Sequence, residues 1–161
     1  MDLTSITGIF LHISIDWIFL ASLGLLALLD GMRGGSSRSV ALGLAFPLVY
    51  ILARFSPAAQ LMGSIEKGLS SPIAQGLFAV VLLVFCFLML YRVTDTFVSD
   101  GGFIQAFAGA LGLIAMVGLF WPLIPGLAAL HTPDAQFLSA FSEAYRFWWL
   151  LVGLAAVAFS R

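Results

Sequence analysis

Residues 103–123 read FIQAFAGALGLIAMVGLFWPL, a stretch of 21 positions without one charged side chain. A segment this long and apolar predicts a helix that crosses a bilayer, because about 20 apolar residues span the hydrocarbon layer. Small residues recur along it, and Ala108 and Gly112, with Gly109 between them, have a spacing that lets helix backbones approach closely in lipid. We therefore expect this helix to be the packing centre of the protein.

The rest of the chain has the same apolar character. Of its 161 residues, 61% are apolar and 9% are charged, whereas a soluble domain carries about 25% charged residues to cover its surface. The composition therefore predicts an all-α, polytopic transmembrane protein in which residues 1–161 form a single transmembrane domain. Four apolar segments and a short fifth one are predicted to cross the membrane, at about residues 9–29, 39–55, 73–91, 103–123 and 147–159.

The segment between the second and third spans has a different pattern. Leu61, Ile65 and Leu69 recur every four residues between Ser56 and Ser71, opposite polar side chains. This spacing favours an amphipathic helix that lies in the membrane interface, and a solvated loop is the alternative. A second interfacial stretch is predicted before Phe147, where three consecutive aromatic residues indicate the headgroup level.

Charge restricts the partners of the chain. Seven Lys and Arg residues balance eight Asp and Glu residues, so the basic excess that nucleic-acid binding needs is missing. We expect the partners to be the lipid bilayer and other integral membrane proteins, or further copies of this chain. The basic residues divide evenly between the two sides of the predicted bundle, and the compact turn at residues 31–38 favours an outside N-terminus with this turn in the cytoplasm.

Two ionisable residues, His12 and Asp16, interrupt the first span. They are four residues apart and share one helix face. An ionisable group inside a span is a functional candidate because its insertion costs about 3 kcal/mol. An aspartate beside a histidine can pass a proton or hold a cation. The alternative for Asp16 is an interface anchor or a hydrogen bond between helices.

Catalytic constellations are scarce in this sequence. The two histidines, His12 and His131, stand near opposite ends of the chain, and His131 with Asp134 has the pattern of a surface-loop pair. A serine-nucleophile elbow and glycine-rich phosphate loops are missing. Cys86 lies in an apolar run without Cys or His neighbours. We therefore expect no enzymatic activity, no metal site and no cofactor.

One pattern is similar to a known family. Asp16 and a long apolar helix are followed by GMRGGSSR at residues 31–38 and by a second apolar helix. This resembles the colicin V production protein family of bacterial inner-membrane proteins, in which an aspartate opens the first helix. In that family a Gly-aromatic-Arg-Arg-Gly turn, with a further arginine three residues on, leads into the second helix. Gly31, Arg33, Gly35 and Arg38 match the motif.

The resemblance covers about residues 16–120, and four positions depart from the family pattern. Met32 replaces an aromatic residue, Gly34 a basic residue and Ser39 an acidic residue, and Ile114 stands where an arginine commonly follows the glycine-rich run. The resemblance implies a location in the bacterial inner membrane and a role in toxin export or in the envelope. It also implies that the turn is a contact surface.

Three functional hypotheses follow from the sequence. In the first, a non-enzymatic membrane protein acts by association with other membrane proteins, with the turn as its contact surface. In the second, the chain is an accessory or assembly subunit of a larger complex, such as an energy-transducing one, and docks through the fourth helix and the Trp148–Trp149 region. In the third, it is a channel or proton-coupled carrier that uses His12 and Asp16.

Overall fold

A computed structural model describes residues 14–55, 68, 71–94 and 102–160. All regular elements in these ranges are helices, which confirms the all-α prediction. His12 lies outside the described residues, and so does the segment predicted as an interfacial amphipathic helix, apart from Gly68 and Ser71. In chain order the elements are α1 (Ile15–Gly34), α2 (Ser37–Phe55), α3 (Pro72–Thr94), α4 (Phe103–Phe120), a 3-10 turn (Trp121–Leu123), α5 (Pro125–Leu130), α6 (Ala135–Ala140) and α7 (Glu143–Phe159).

Four helices are long and apolar enough to cross a membrane. They are α1, α2, α3, and α4 together with the 3-10 turn that extends it to Leu123. Large apolar side chains such as Val81, Phe85 and Leu88 are exposed along the outer face of α3. Such a surface suits hydrocarbon, because lipid is as apolar as the side chains themselves. The protein is therefore membrane-embedded.

Helix α4 lies at the centre of the bundle. Of its most apolar window, 67% is buried inside the protein, against 17% for α3. Helices α1, α2 and α7 pack around α4, while α3 lies outside them against α2 and α5. The helix with the most small residues is thus the one that the others surround.

Two glycines on α4 allow this close packing. A Cβ atom added at Gly109 would lie 3.1 Å from the Cβ of Ser36, just before α2. A Cβ added at Gly112 would lie 3.0 Å from a methyl of Val157 and 3.3 Å from the carbonyl oxygen of Gly153, both on α7. Ala108 on the same helix is half-buried. The glycine face of α4 is therefore filled by the chain's own helices.

The connection between α1 and α2 is shorter than the sequence indicates. We predicted a span end near Leu29, but α1 continues to Gly34, because Gly31 is buried inside the helix with its Cα facing Ala106 of α4. The chain reverses at Gly35, whose φ of 83° lies in the left-handed region that glycine tolerates. Only Gly35 and Ser36 separate the two helices.

After α4 the chain turns back over one end of the bundle and then returns along it. Pro122 and Pro125 interrupt the helix here, and α5 packs on α3. Helix α7 then runs along α4 to the opposite end, where the hydroxyl of Ser36 donates a 2.6 Å hydrogen bond to the carbonyl of Ser160. Seventeen residues give α7 a length of roughly 25 Å. A fifth membrane crossing by α7 stays a prediction.

We expect Gly112→Leu to lower the free energy of unfolding by about 2 kcal/mol, because the added side chain must separate α4 from α7. Thermal unfolding in a mild detergent measures the effect. Gly34→Leu is the matched control, since nothing lies within 4 Å of a Cβ built at Gly34. Equal melting temperatures for the two variants would show that the contact between α4 and α7 is not tight.

Candidate functional site

Asp16 lies in the first turn of α1 with its carboxylate turned into the protein. The hydroxyl of Ser14 caps this helix by accepting a 3.2 Å hydrogen bond from the Asp16 backbone N–H. The buried residues of α1 form one face that packs on α4, and they are Asp16, Leu20, Gly24, Ala27 and Gly31. Asp16 is the first residue of that face, and its side chain is 8% exposed.

Three donors surround the Asp16 carboxylate. The Nε2 atom of His131 lies 2.6 Å from Oδ1, and the backbone N–H of Asp134 donates to Oδ2 over 2.7 Å. The Ser14 hydroxyl adds a longer bond of 3.3 Å to Oδ2. Because a carboxylate only accepts hydrogen bonds, we assign the shared proton to Nε2 of His131. Hydrogen bonds of this charge-assisted kind contribute about 1.5–3 kcal/mol each.

The segment after α5 brings His131 to Asp16. Helix α5 ends at Leu130, and His131 has extended backbone angles that carry the chain toward the start of α1. The indole N–H of Trp121 donates to the carbonyl of His131 over 3.4 Å. In the next helix, the Phe137 ring packs against Trp17 with centroids 5.6 Å apart. Segment 131–134 is thus fixed by Trp121 before it and by the contact of Phe137 with α1 after it.

This arrangement corrects one prediction of the sequence. We expected His131 and Asp134 to form a surface-loop pair, whereas His131 pairs with Asp16 and Asp134 contributes its backbone N–H to the same carboxylate. The two pairing residues are 115 positions apart. The sequence offers one indication of this pairing, which is the order of the spans. The start of the first span and the end of the fourth lie on the same side of the membrane. For Asp16 itself, we gave an interface anchor or a hydrogen bond between helices as the alternative to a proton or cation site. The hydrogen bonds that join α1 to segment 131–134 are of this structural kind.

The Asp16–His131 pair can support only a few kinds of chemistry. Asp16 orients the imidazole and fixes its tautomer, as a carboxylate does in hydrolase triads. The described residues hold no cluster of three or more His, Cys, Asp or Glu side chains that could bind a metal. The pair is therefore suited to binding a hydrogen-bonding group and to holding a proton.

Buried polar side chains among the described residues lie at the two ends of the bundle. Asp16 is the one at its own end, and the others lie at the opposite end: Ser36, Ser37, Ser39, Thr94 and Ser160. Between the two ends the core consists of apolar residues such as Leu20, Leu113 and Val117. In the described part of the chain, therefore, no row of polar side chains leads from Asp16 across the bundle.

The opposite end carries the residues that match the turn motif. We call Gly31, Met32, Arg33, Gly34, Gly35 and Arg38 the arginine turn. Arg38 donates a 2.9 Å hydrogen bond to Asp30, and the two side chains are 60% and 39% exposed. Arg33 is exposed and has no ion pair within the described ranges. Gly31 and Gly35 shape the backbone, whereas the two arginines face outward.

We expect Asp16→Asn to lower the free energy of unfolding by about 2 kcal/mol. The amide oxygen can accept from His131 or from the Asp134 N–H, but its NH₂ group cannot accept from the other donor. Asp30→Asn is the control, because its partially exposed pair with Arg38 contributes at most about 1 kcal/mol. Thermal unfolding in lipid nanodiscs checks both values. Combining Asp16→Asn with His131→Ala should give clearly less than the sum of the single effects, and additive effects would contradict direct coupling.

Comparison of the chain with protein families, with curated proteins and with solved structures finds no match. The resemblance to the colicin V production family therefore rests on the motif residues of the arginine turn, on Asp16 and on the order of the helices.

Proposed function

We propose that this chain is a non-enzymatic integral membrane protein that acts by association with other membrane proteins through the arginine turn. The proposal rests on the way in which the arginine turn is attached to the helix bundle. Its inner side is fixed to the bundle by hydrogen bonds and close packing, while its cationic side chains project outward. A rigid, charged surface of this kind can bind a partner with little loss of conformational entropy.

The inner side of the turn is held at four places. Ser36 bonds to the carbonyl of Ser160, and the Ser39 hydroxyl donates to the carbonyl of Ala27 over 3.4 Å. Gly31 packs on Ala106. Asp30 braces Arg38, whose side chain is 60% exposed. The outer side presents Arg33 and Met32, both exposed. A matching partner surface would be acidic, with an apolar patch for Met32.

The accessory-subunit hypothesis keeps the same mode of action but needs another contact surface. The small-residue face of α4 is filled by Ser36 and α7 of the same chain, so a partner would dock elsewhere. Trp148, which is exposed on α7, supports such a second surface. The resemblance supports a bacterial inner-membrane location and a role in toxin export or in the envelope as parts of the proposal.

The carrier hypothesis receives less support. Transport of a proton or cation needs polar groups along a path, and the described core between the two ends is apolar. Asp16 instead holds segment 131–134 to α1 through short hydrogen bonds. Association through the turn uses exposed charges and requires no such path.

Site-specific photocrosslinking tests the proposal. A benzophenone amino acid at Met32 should give one dominant crosslinked protein in native membranes, and the same probe at the lipid-facing position Leu48 should give none. Adding Arg33→Glu should reduce the Met32 crosslink at least tenfold, because it reverses the charge that an acidic partner meets.

The same two probes also define the result that would contradict the proposal. If probes at Met32 and Leu48 both label lipid alone while the protein stays folded, the turn is not a contact surface. Extraction in mild detergent followed by a native gel and mass spectrometry identifies any partner. Comigration that persists in the Arg33→Glu variant would place the contact elsewhere on the chain.

A further inference from the structure

A cavity of about 300 Å³ opens beside the Asp16–His131 pair. Its walls are almost wholly apolar, and they come from α1, the end of α4 and the 121–137 segment. The main wall residues are Ile15, Phe19, Leu20, Val117, Trp121 and Phe137. The volume lies at the small end of the range, about 300–1,000 Å³, in which proteins bind small molecules.

Aromatic rings form much of this wall. The rings of Phe19 and Trp121 have centroids 5.9 Å apart, and Phe137 also lines the cavity. Aromatic pairs favour offset or tilted packing, so these walls suit a planar ring. Ile15 and Phe19 are exposed on the outer face of α1, which gives a ligand access from the lipid phase.

Of the described residues that line the cavity, Asp16 and His131 carry ionisable side chains, and the indole N–H of Trp121 is engaged by the His131 carbonyl. Asp16 is occupied by its donors, and Nε2 of His131 bonds to it. In the neutral imidazole with its proton on Nε2, the other ring nitrogen, Nδ1, is a hydrogen-bond acceptor. The described residues supply no partner for Nδ1, and the His131 side chain is 50% exposed. A hydroxyl group that donates a hydrogen bond is the complement of this atom.

Charge narrows the choice of ligand further. Among the residues that the structure describes, no lysine or arginine lines the cavity, whereas the buried carboxylate of Asp16 does. An acidic phospholipid headgroup would therefore meet repulsion without a compensating cation. A plain acyl chain would leave the imidazole nitrogen unpaired. A neutral molecule with a ring and a hydroxyl satisfies both the walls and the pair.

We propose that the cavity beside Asp16 and His131 binds a neutral, lipid-soluble molecule with a phenol-like head, whose hydroxyl donates to Nδ1 of His131. The ring packs against the Phe19–Trp121 pair and against Phe137, and an attached apolar tail leaves past Ile15 into the lipid. Asp16 is a positioning residue in this site, because it holds the imidazole that the ligand contacts. The site lies at the opposite end of the bundle from the arginine turn and is independent of the function proposed there.

The first test compares two ligands on the unchanged protein in phosphatidylcholine nanodiscs. A photoreactive alkylphenol labels the protein, and 4-nonylphenol or its methyl ether, 4-nonylanisole, competes. We expect saturable labelling of α1 and residues 121–137, with the phenol competing at about five- to tenfold lower concentration, because the ether cannot donate a hydrogen bond. Equal competition by the two ligands, or labelling that does not saturate, would overturn the proposal.

Variants locate the interaction. His131→Phe keeps a ring at the position and should abolish the preference for phenol over ether. Phe19→Ala, a change in an exposed wall residue, should weaken labelling severalfold even if His131→Phe fails to fold. Phe85→Ala, at an exposed position on α3, is its matched control and should bind as the unchanged protein does. Phenol preference that survives His131→Phe, or equal labelling of the two phenylalanine variants, would contradict the assignment.

Discussion

The close approach of helix backbones along α4 is the constraint on which the rest of this structure depends. In lipid the hydrophobic effect does not drive helices together, so packing and polar contacts must do so. Gly109 and Gly112 allow Ser36 and α7 to reach the α4 backbone, where a larger side chain would hold them away. Because α4 is surrounded by α1, α2 and α7, its two ends become the points where distant parts of the chain meet.

Polar groups hold these distant parts of the chain together at the two ends of the bundle. At one end the Asp16 carboxylate holds segment 131–134 against α1, and at the other end the Ser36 hydroxyl holds the end of α7. Buried polar groups are costly unless they are paired, and in hydrocarbon water cannot supply the partner. Each of these groups is paired with a residue more than 100 positions away in the chain. They connect the chain's early and late segments, and the apolar core lies between them.

The same division separates the two surfaces that we propose to bind other molecules. The arginine turn carries the charges of Arg33 and Arg38. It is stiff because Gly35 reverses the chain over two residues and Asp30 braces Arg38. The cavity beside Asp16 is mostly apolar, and the ionisable side chains among its described wall residues are Asp16 and His131. A charged turn suits a protein partner at the membrane surface, and an apolar cavity suits a molecule dissolved in the lipid. Their placement at opposite ends lets one surface be altered without touching the other.

The sequence by itself determined the membrane location, the all-α fold and four helices long enough to cross a bilayer, because the bilayer thickness sets the length of apolar run that a crossing needs. It also indicated the central role of the small-residue helix. Helix ends were less predictable: α1 passes Gly31 because tertiary packing on Ala106 outweighs the weak helix propensity of glycine. The partner of Asp16 was decided only by the tertiary structure. Local spacing pointed to neighbours such as His12, whereas the bundle topology placed the start of α1 beside the segment that follows α5 and so joined Asp16 to His131.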